Sequence, residues 1–173
     1  PPLVLQPNWT VPPLPGNCEL GRDSNGSQTL ICVPDVQIGL NLTAIIYAHG
    51  YVNPYFPAKE IPWDQLSTTD SSGNLVFLPT LVTDMGYYFA TTSYRANGLV
   101  VQDAVQDLLL VRSMVSSKMY SLIKTFVLAG VSEGGLITTL SLERYPSSYY
   151  AGLAMCGPVG DFRQQVDYWG DAR

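Results

Sequence analysis

Residues 124–140 read KTFVLAGVSEGGLITTL: an apolar run, the turn Gly130-Val131-Ser132-Glu133-Gly134, then a run with helical patterning. The stretch calls for a buried strand that turns sharply into a helix with a serine at the corner. A serine on so tight a turn has strained backbone angles, and the residues two before and two after it must be almost bare of side chain. Gly130 and Gly134 meet that need. The corner would present the Ser132 hydroxyl at the carboxyl end of a strand and at a helix N-terminus, where partial positive charge favours a developing anion. The alternative is a glycine-rich turn with an idle serine.

A corner of this kind belongs among strands that alternate with crossover helices, and the rest of the chain supplies them. NLTAIIYAHG is a short apolar run closed by Gly50, and YVNPYFPAKEIPWDQL, with three prolines and four aromatics, reads as a long loop. NLVFLPTLVTDMG fits a helix ending at Gly86, and YYFATTSY fits a strand. Val101, Val105, Leu108, Leu109 and Val115 recur at helical spacing, followed by the strand TFVLAG, a helix over about 134–144 and the strand YAGLAMCG. This order predicts an α/β fold: a mostly parallel sheet with helices on both faces.

At the front of the chain, Cys18 and Cys32 flank GRDSNGSQ, a hairpin signal with Ser24-Asn25-Gly26 as its loop and Gly26 in the left-handed position. In that register Cys18 faces Cys32, within reach of a disulfide if the pair is not hydrogen-bonded. The bond is expected; the alternative is two thiols in a hairpin. Cys156 is left over and is expected to be a small buried hydrophobe. Sequons at Asn8, Asn25 and Asn41 could carry glycans only in a eukaryotic secretory host.

Composition narrows the partners. With 173 residues, 46% of them hydrophobic, the chain can build one core. A net charge of −5 and a pI near 4.6 argue against nucleic acid, because nothing here could replace the counterions around phosphates. No apolar window is long enough to predict a membrane span, and no signal peptide is visible. The cysteine pair favours a secreted or periplasmic protein. One histidine, no clustered cysteines and scattered carboxylates predict neither metal nor cofactor.

YAHGYVNP supplies the other half of a constellation. His49 and Gly50 close the earlier strand, where such a sheet offers a backbone N–H to join the one after the serine in holding an oxyanion. The donors would be the main-chain N–H groups of Tyr51 and Glu133. An ordinary strand-end turn is the alternative.

With both elements in this order, the chain resembles the α/β-hydrolase family: AHGY is similar to its oxyanion loop and GVSEGG to its nucleophile elbow. The tail CGPVGDFRQQVDYWGD looks like a stretch from secreted bacterial esterase- or peptidase-like members. The resemblance runs from about Gln28 to the end and covers the N-terminal half to two-thirds of the family domain. Residues 1–16 read from their prolines as an extended arm, with 17–160 expected to be the N-terminal part of the domain and 161–173 the start of a cap or connecting segment. The resemblance implies a serine hydrolase of carboxylesterase type, cleaving esters through an acyl-enzyme on Ser132. A secreted serine peptidase, or a non-catalytic binding module on the same scaffold, are the alternatives.

Members place an acid and a histidine after the serine, and no histidine follows Ser132 here. His49 fits a structural support of the oxyanion loop better than a base. Asp161 lies where some members keep their acid, although it fits a structural or cap-forming role better. The Glu133 side chain should point away from the turn. Tyr55, Phe56 and Trp63 could line a substrate pocket or simply anchor their loop. A sheet ending at YAGLAMCG would leave an open parallel edge, and the chain stops at Arg173, a trypsin-type site. The expectation is therefore a nicked hydrolase, whose companion polypeptide from the same precursor carries the histidine and the acid.

Overall fold

The structure, a computed structural model, describes residues 11–34, 42–118 and 123–171. Most of the expected proline-rich arm and the sequons at Asn8 and Asn41 lie outside them. Strands β1 (Cys18–Arg22), β2 (Gln28–Cys32), β3 (Thr43–Ala48), β6 (Tyr88–Thr92), β7 (Thr125–Val131) and β8 (Ala151–Met155) form one sheet in the order β1-β2-β6-β3-β7-β8. β1, β2 and β6 pair antiparallel; β6, β3, β7 and β8 run parallel. Helices α2 (Val101–Lys118) and α3 (Glu133–Arg144) link the parallel strands, and α4 (Phe162–Asp171) follows β8.

The N-terminal hairpin is as expected. Gly26 has φ 80°, and its N–H closes the loop onto the Asp23 carbonyl at 3.0 Å. Cys18 pairs with Cys32 in register and the two form a disulfide. The Asn25 amide is drawn into the fold, donating to Asp107 Oδ1 at 3.3 Å.

Two findings correct the reading of 67–86. Ser67–Thr69 (β4) and Leu75–Phe77 (β5) form a small antiparallel hairpin, so Leu75–Phe77 is strand rather than helix. Helix α1 (Leu78–Asp84) starts only there, with Pro79 in its first turn, where a missing N–H costs no hydrogen bond. It ends in a Schellman motif: Tyr87 N–H donates to Val82 O, Gly86 N–H donates to Thr83 O, and Gly86 has φ 83°.

Alternation along the strands divides the core. Ala44, Ile46, Ala90 and Leu128 face α2 and α3, whose Ala104, Val105, Leu108, Val111, Val115 and Ile137 are buried against them. Tyr47 and Phe89 face the other way, onto Ile61, Trp63 and Leu66, with Leu78 and Val82 of α1 at the margin. This second face is only partly covered: Val127, Ala129 and Val131 stay half-buried. β8 is an edge strand with Ala151, Gly152, Leu153 and Ala154 exposed. Cys156, expected to be buried, is exposed just past that edge, where no further described strand covers it. On α4, Val166, Tyr168 and Trp169 are exposed.

Candidate active site

The corner between β7 and α3 holds Ser132 at φ 58°, ψ −124°. Glycine enters that region readily; in any other residue it costs on the order of 1–3 kcal/mol and must be enforced by its surroundings. Enforcement comes from three sides. Ser132 N–H donates to Met155 O of β8 at 2.9 Å, and Ser132 O accepts from Gly135 N–H at 2.9 Å. A Cβ on Gly134 would lie 2.0 Å from the Ala48 carbonyl oxygen, and one on Gly130 would lie 2.2 Å from the Gly134 oxygen. The glycines flanking Ser132 therefore let β3, β7 and α3 meet backbone to backbone, and the serine is left exposed.

The loop after β3 is fixed by two side chains. His49 is 2% exposed and stacks on Tyr94, with ring centroids 3.9 Å apart. Its Nδ1 lies 2.8 Å from the Gly50 oxygen. A carbonyl can only accept, so Nδ1 carries the proton. Nε2 is buried without a hydrogen-bond partner among the described residues. Burial lowers the His49 pKa to about 4, against the opposing pull of the backbone at Gly50 and Ser93.

Gln65 is the second clamp. Its Oε1 accepts from Gly50 N–H at 2.7 Å, and its Nε2 donates to Tyr51 O at 3.1 Å. The oxygen and hydrogen of a trans peptide point in opposite directions, so turning Gly50 O toward His49 aims Tyr51 N–H the other way. No described group accepts that N–H. The loop abuts the serine directly: a Cβ on Gly50 would lie 3.3 Å from Ser132 Cβ. Two backbone segments, Gly50-Tyr51 and Ser132-Glu133, thus come together with main-chain donors to spare.

The other expected site residues divide. Glu133 does turn its side chain away: the carboxylate is buried and accepts from Val100 N–H at 2.9 Å, and burial raises its pKa. Asp161 caps α4, its Oδ1 accepting from Arg163 N–H at 2.8 Å. A cavity of about 520 Å³ opens beside Ser132, lined by Gly50, Gln65, Ile45, Tyr47, Phe89, Val131 and others. Tyr55, Phe56 and Trp63 are not part of its lining. Tyr55 is 76% exposed, and Trp63 is packed in the core with Leu30 and Leu66. Gln65 was missed because a glutamine in a loop carries no pattern; only the fold shows which backbone it reaches. Among the described residues no three His, Cys, Asp or Glu side chains cluster as metal ligands.

The sheet order, the crossover helices and the strained serine between β7 and α3 define an α/β-hydrolase fold, present in part. The sequence itself matches no family model and no curated protein. Solved structures carry the comparison. The chain is similar to an esterase of Pyrococcus furiosus at TM-score 0.57 and 13% identity, over 88% of this chain and 55% of that one. An acylaminoacyl peptidase of Pyrococcus horikoshii matches at 0.56 and 16% identity, over 82% of this chain and 23% of that one. Prolyl oligopeptidase B from Galerina marginata matches at 0.52 and 18%, over 81% and 20%. The chain thus spans about half the length of the esterase and about a fifth of the length of the peptidases. These likenesses are likenesses of fold, and peptidases and esterases share it.

Proposed function

We propose that the chain is the nucleophile-bearing part of an acyl hydrolase that acts on ester bonds. The observation that carries this reading is the exposed Ser132, held at φ 58° beside the unclaimed N–H of Tyr51. A strained, exposed serine ringed by backbone donors suits acyl transfer. Ser132 Oγ attacks the carbonyl carbon and gives its proton to an imidazole. The carbonyl oxygen becomes an oxyanion held by the N–H groups of Tyr51 and Glu133. The carbon–oxygen bond to the leaving alcohol then breaks, the imidazole returns the proton to that alcohol, and water releases the acyl group from Ser132. One such donor is worth about 2.7–4 kcal/mol of barrier.

No imidazole among the described residues bonds to the Ser132 hydroxyl; His49 is committed to Gly50. The reading therefore assigns the histidine, and the acid if Asp161 stays a cap, to polypeptide outside residues 1–173. That polypeptide would also cover the exposed edge of β8. The cysteine bridge supports an extracellular or periplasmic setting, and among the described residues no helix is long and apolar enough to cross a membrane. A peptidase would use the same groups. The uncommitted Ser132 hydroxyl favours a second reading, a binding module on this scaffold.

Treatment of the protein from its native source with an alkyl fluorophosphonate separates these readings. The expected result is a covalent adduct on Ser132, absent from a Ser132→Ala variant. An unlabelled Ser132 would overturn the hydrolase and leave the binding module. Turnover of p-nitrophenyl esters against peptide amides then ranks the bond types.

A further inference from the structure

A second recess lies at the other end of β7, among Arg112, Lys124, Phe126, Ser147, Ser148 and Tyr149, with a volume of about 280 Å³. β7 runs from Thr125 to Val131, so the recess sits by the first residues of the strand and Ser132 just past the last. At about 3.3 Å per residue the two are on the order of 20 Å apart.

The recess has the wrong charge for its chain. The protein carries 14 acidic residues against 9 basic ones, yet among the described residues two cations and no carboxylate line this hollow. Neither Arg112 nor Lys124 forms an ion pair among the described residues. Arg112 is nevertheless fixed. Its Nε donates to Ser148 O at 2.6 Å, and its guanidinium lies 4.5 Å over the Phe126 ring. Among the described residues both Nη groups lack an acceptor, on a planar fork already set in place. Lys124, exposed, immediately precedes β7 and lines the same recess as Arg112 and Phe126. Tyr149, 4% exposed, has a buried hydroxyl with no partner among the described residues. Burial raises its pKa and the charge of Arg112 acts the other way, so the phenol remains a neutral donor.

A pre-set guanidinium edge, a second cation and unclaimed hydroxyls are the donors that recognise a doubly charged oxyanion. We propose that this recess binds a phosphate dianion, free or as the monoester of a larger molecule, through the Arg112 Nη groups and Lys124 Nζ. The site is independent of Ser132 and stands whether or not the hydrolase reading does.

Titration of the full chain with inorganic phosphate at constant ionic strength, read by calorimetry and by Tm, tests the proposal. Saturable binding is expected, weakened at least tenfold by Arg112→Gln and severalfold by Lys124→Gln, and unchanged by Ser132→Ala. Glucose 6-phosphate binding at least as tightly as inorganic phosphate would mark a monoester site; weaker binding would mark a site for the free ion. Arg112 also supports the loop at Ser148, so Lys124→Gln, whose side chain bonds to no other described residue, is the deciding variant. Equal effects from sodium chloride, or phosphate binding unaltered by Lys124→Gln, would overturn the proposal.

Discussion

Ser132 is the one residue at the corner whose backbone works against its own preference. At φ 58°, ψ −124° a glycine would be relaxed, so the strain belongs to the side chain that the chemistry needs. Ser132→Gly should therefore unfold at higher denaturant than Ser132→Ala, by about 1 kcal/mol, while neither forms the phosphonate adduct; urea midpoints of the pair check this. His49 is strained in a different currency. Its pKa is lowered to about 4 from 6.5, so between those values the unfolded chain takes up a proton that the folded chain refuses. Stability must then fall as pH drops through that window, by up to about 3 kcal/mol, and its loss levels off below pH 4. The chain has a single histidine, so its one imidazole NMR signal needs no assignment; it should stay in the neutral position at pH 5, and titration near 6.5 would show the ring to be solvated. Ser132, Gly130 and Gly134 were legible beforehand because a tight strand–helix corner leaves few choices of residue. The exposure of Cys156 was not, because burial at an edge depends on what lies beyond it.

Elements were legible where their period was long enough to read. β3, β6, β7, α2 and α3 follow apolar runs or helical spacing, and the sheet order follows from their alternation. The β4–β5 hairpin was not seen because three residues cannot display a period, although its turn, Asp70-Ser71-Ser72-Gly73, is written plainly. There Asp70 Oδ1 accepts from Ser72 and Asn74 N–H, and Gly73 has φ 81°. The turn matters to the site through its neighbour: the 3-10 turn Trp63–Leu66 leads into β4 and carries Gln65. Buried Trp63 and Leu66 anchor that turn, so Gln65 reaches the oxyanion loop from a fixed base. Replacing it should shift a backbone donor without removing one. Gln65→Leu is expected to slow phosphonate labelling about tenfold to a hundredfold, the scale of a small misplacement. Gln65→Glu keeps an acceptor for Gly50 N–H but loses the donor to Tyr51 O, and should fall between. Equal labelling rates in all three proteins would mean that the loop holds its shape without the clamp.

For the molecule as a whole, the two edges of the sheet are treated differently. β1 is tied back to β2 by the Cys18–Cys32 bridge, and Arg22 at its end pairs with Glu60. β8, AGLAM, has no charged residue and no proline, and among the described residues no element covers Ala151–Ala154. Leu153 is 55% exposed on a strand whose outer N–H and C=O groups face away from the sheet. Such a strand is a template for another strand, and natural edges of this length usually carry a lysine or a bulge to prevent pairing. The net charge of −5 gives weak protection that vanishes near the pI of 4.6, inside the window where His49 also lowers stability. The isolated chain is therefore expected to self-associate, most strongly as pH approaches 5. Leu153→Lys places a charge on the edge without touching Ser132, so sedimentation velocity should show it monomeric where the parent chain is not. If β8 instead pairs with the polypeptide that supplies the histidine, the same lysine should weaken that complex and slow labelling of Ser132 in it. Association through α4, whose Tyr168 and Trp169 are also exposed, would leave the Leu153→Lys chain as oligomeric as its parent, so the variant assigns the sticky surface to one element or the other.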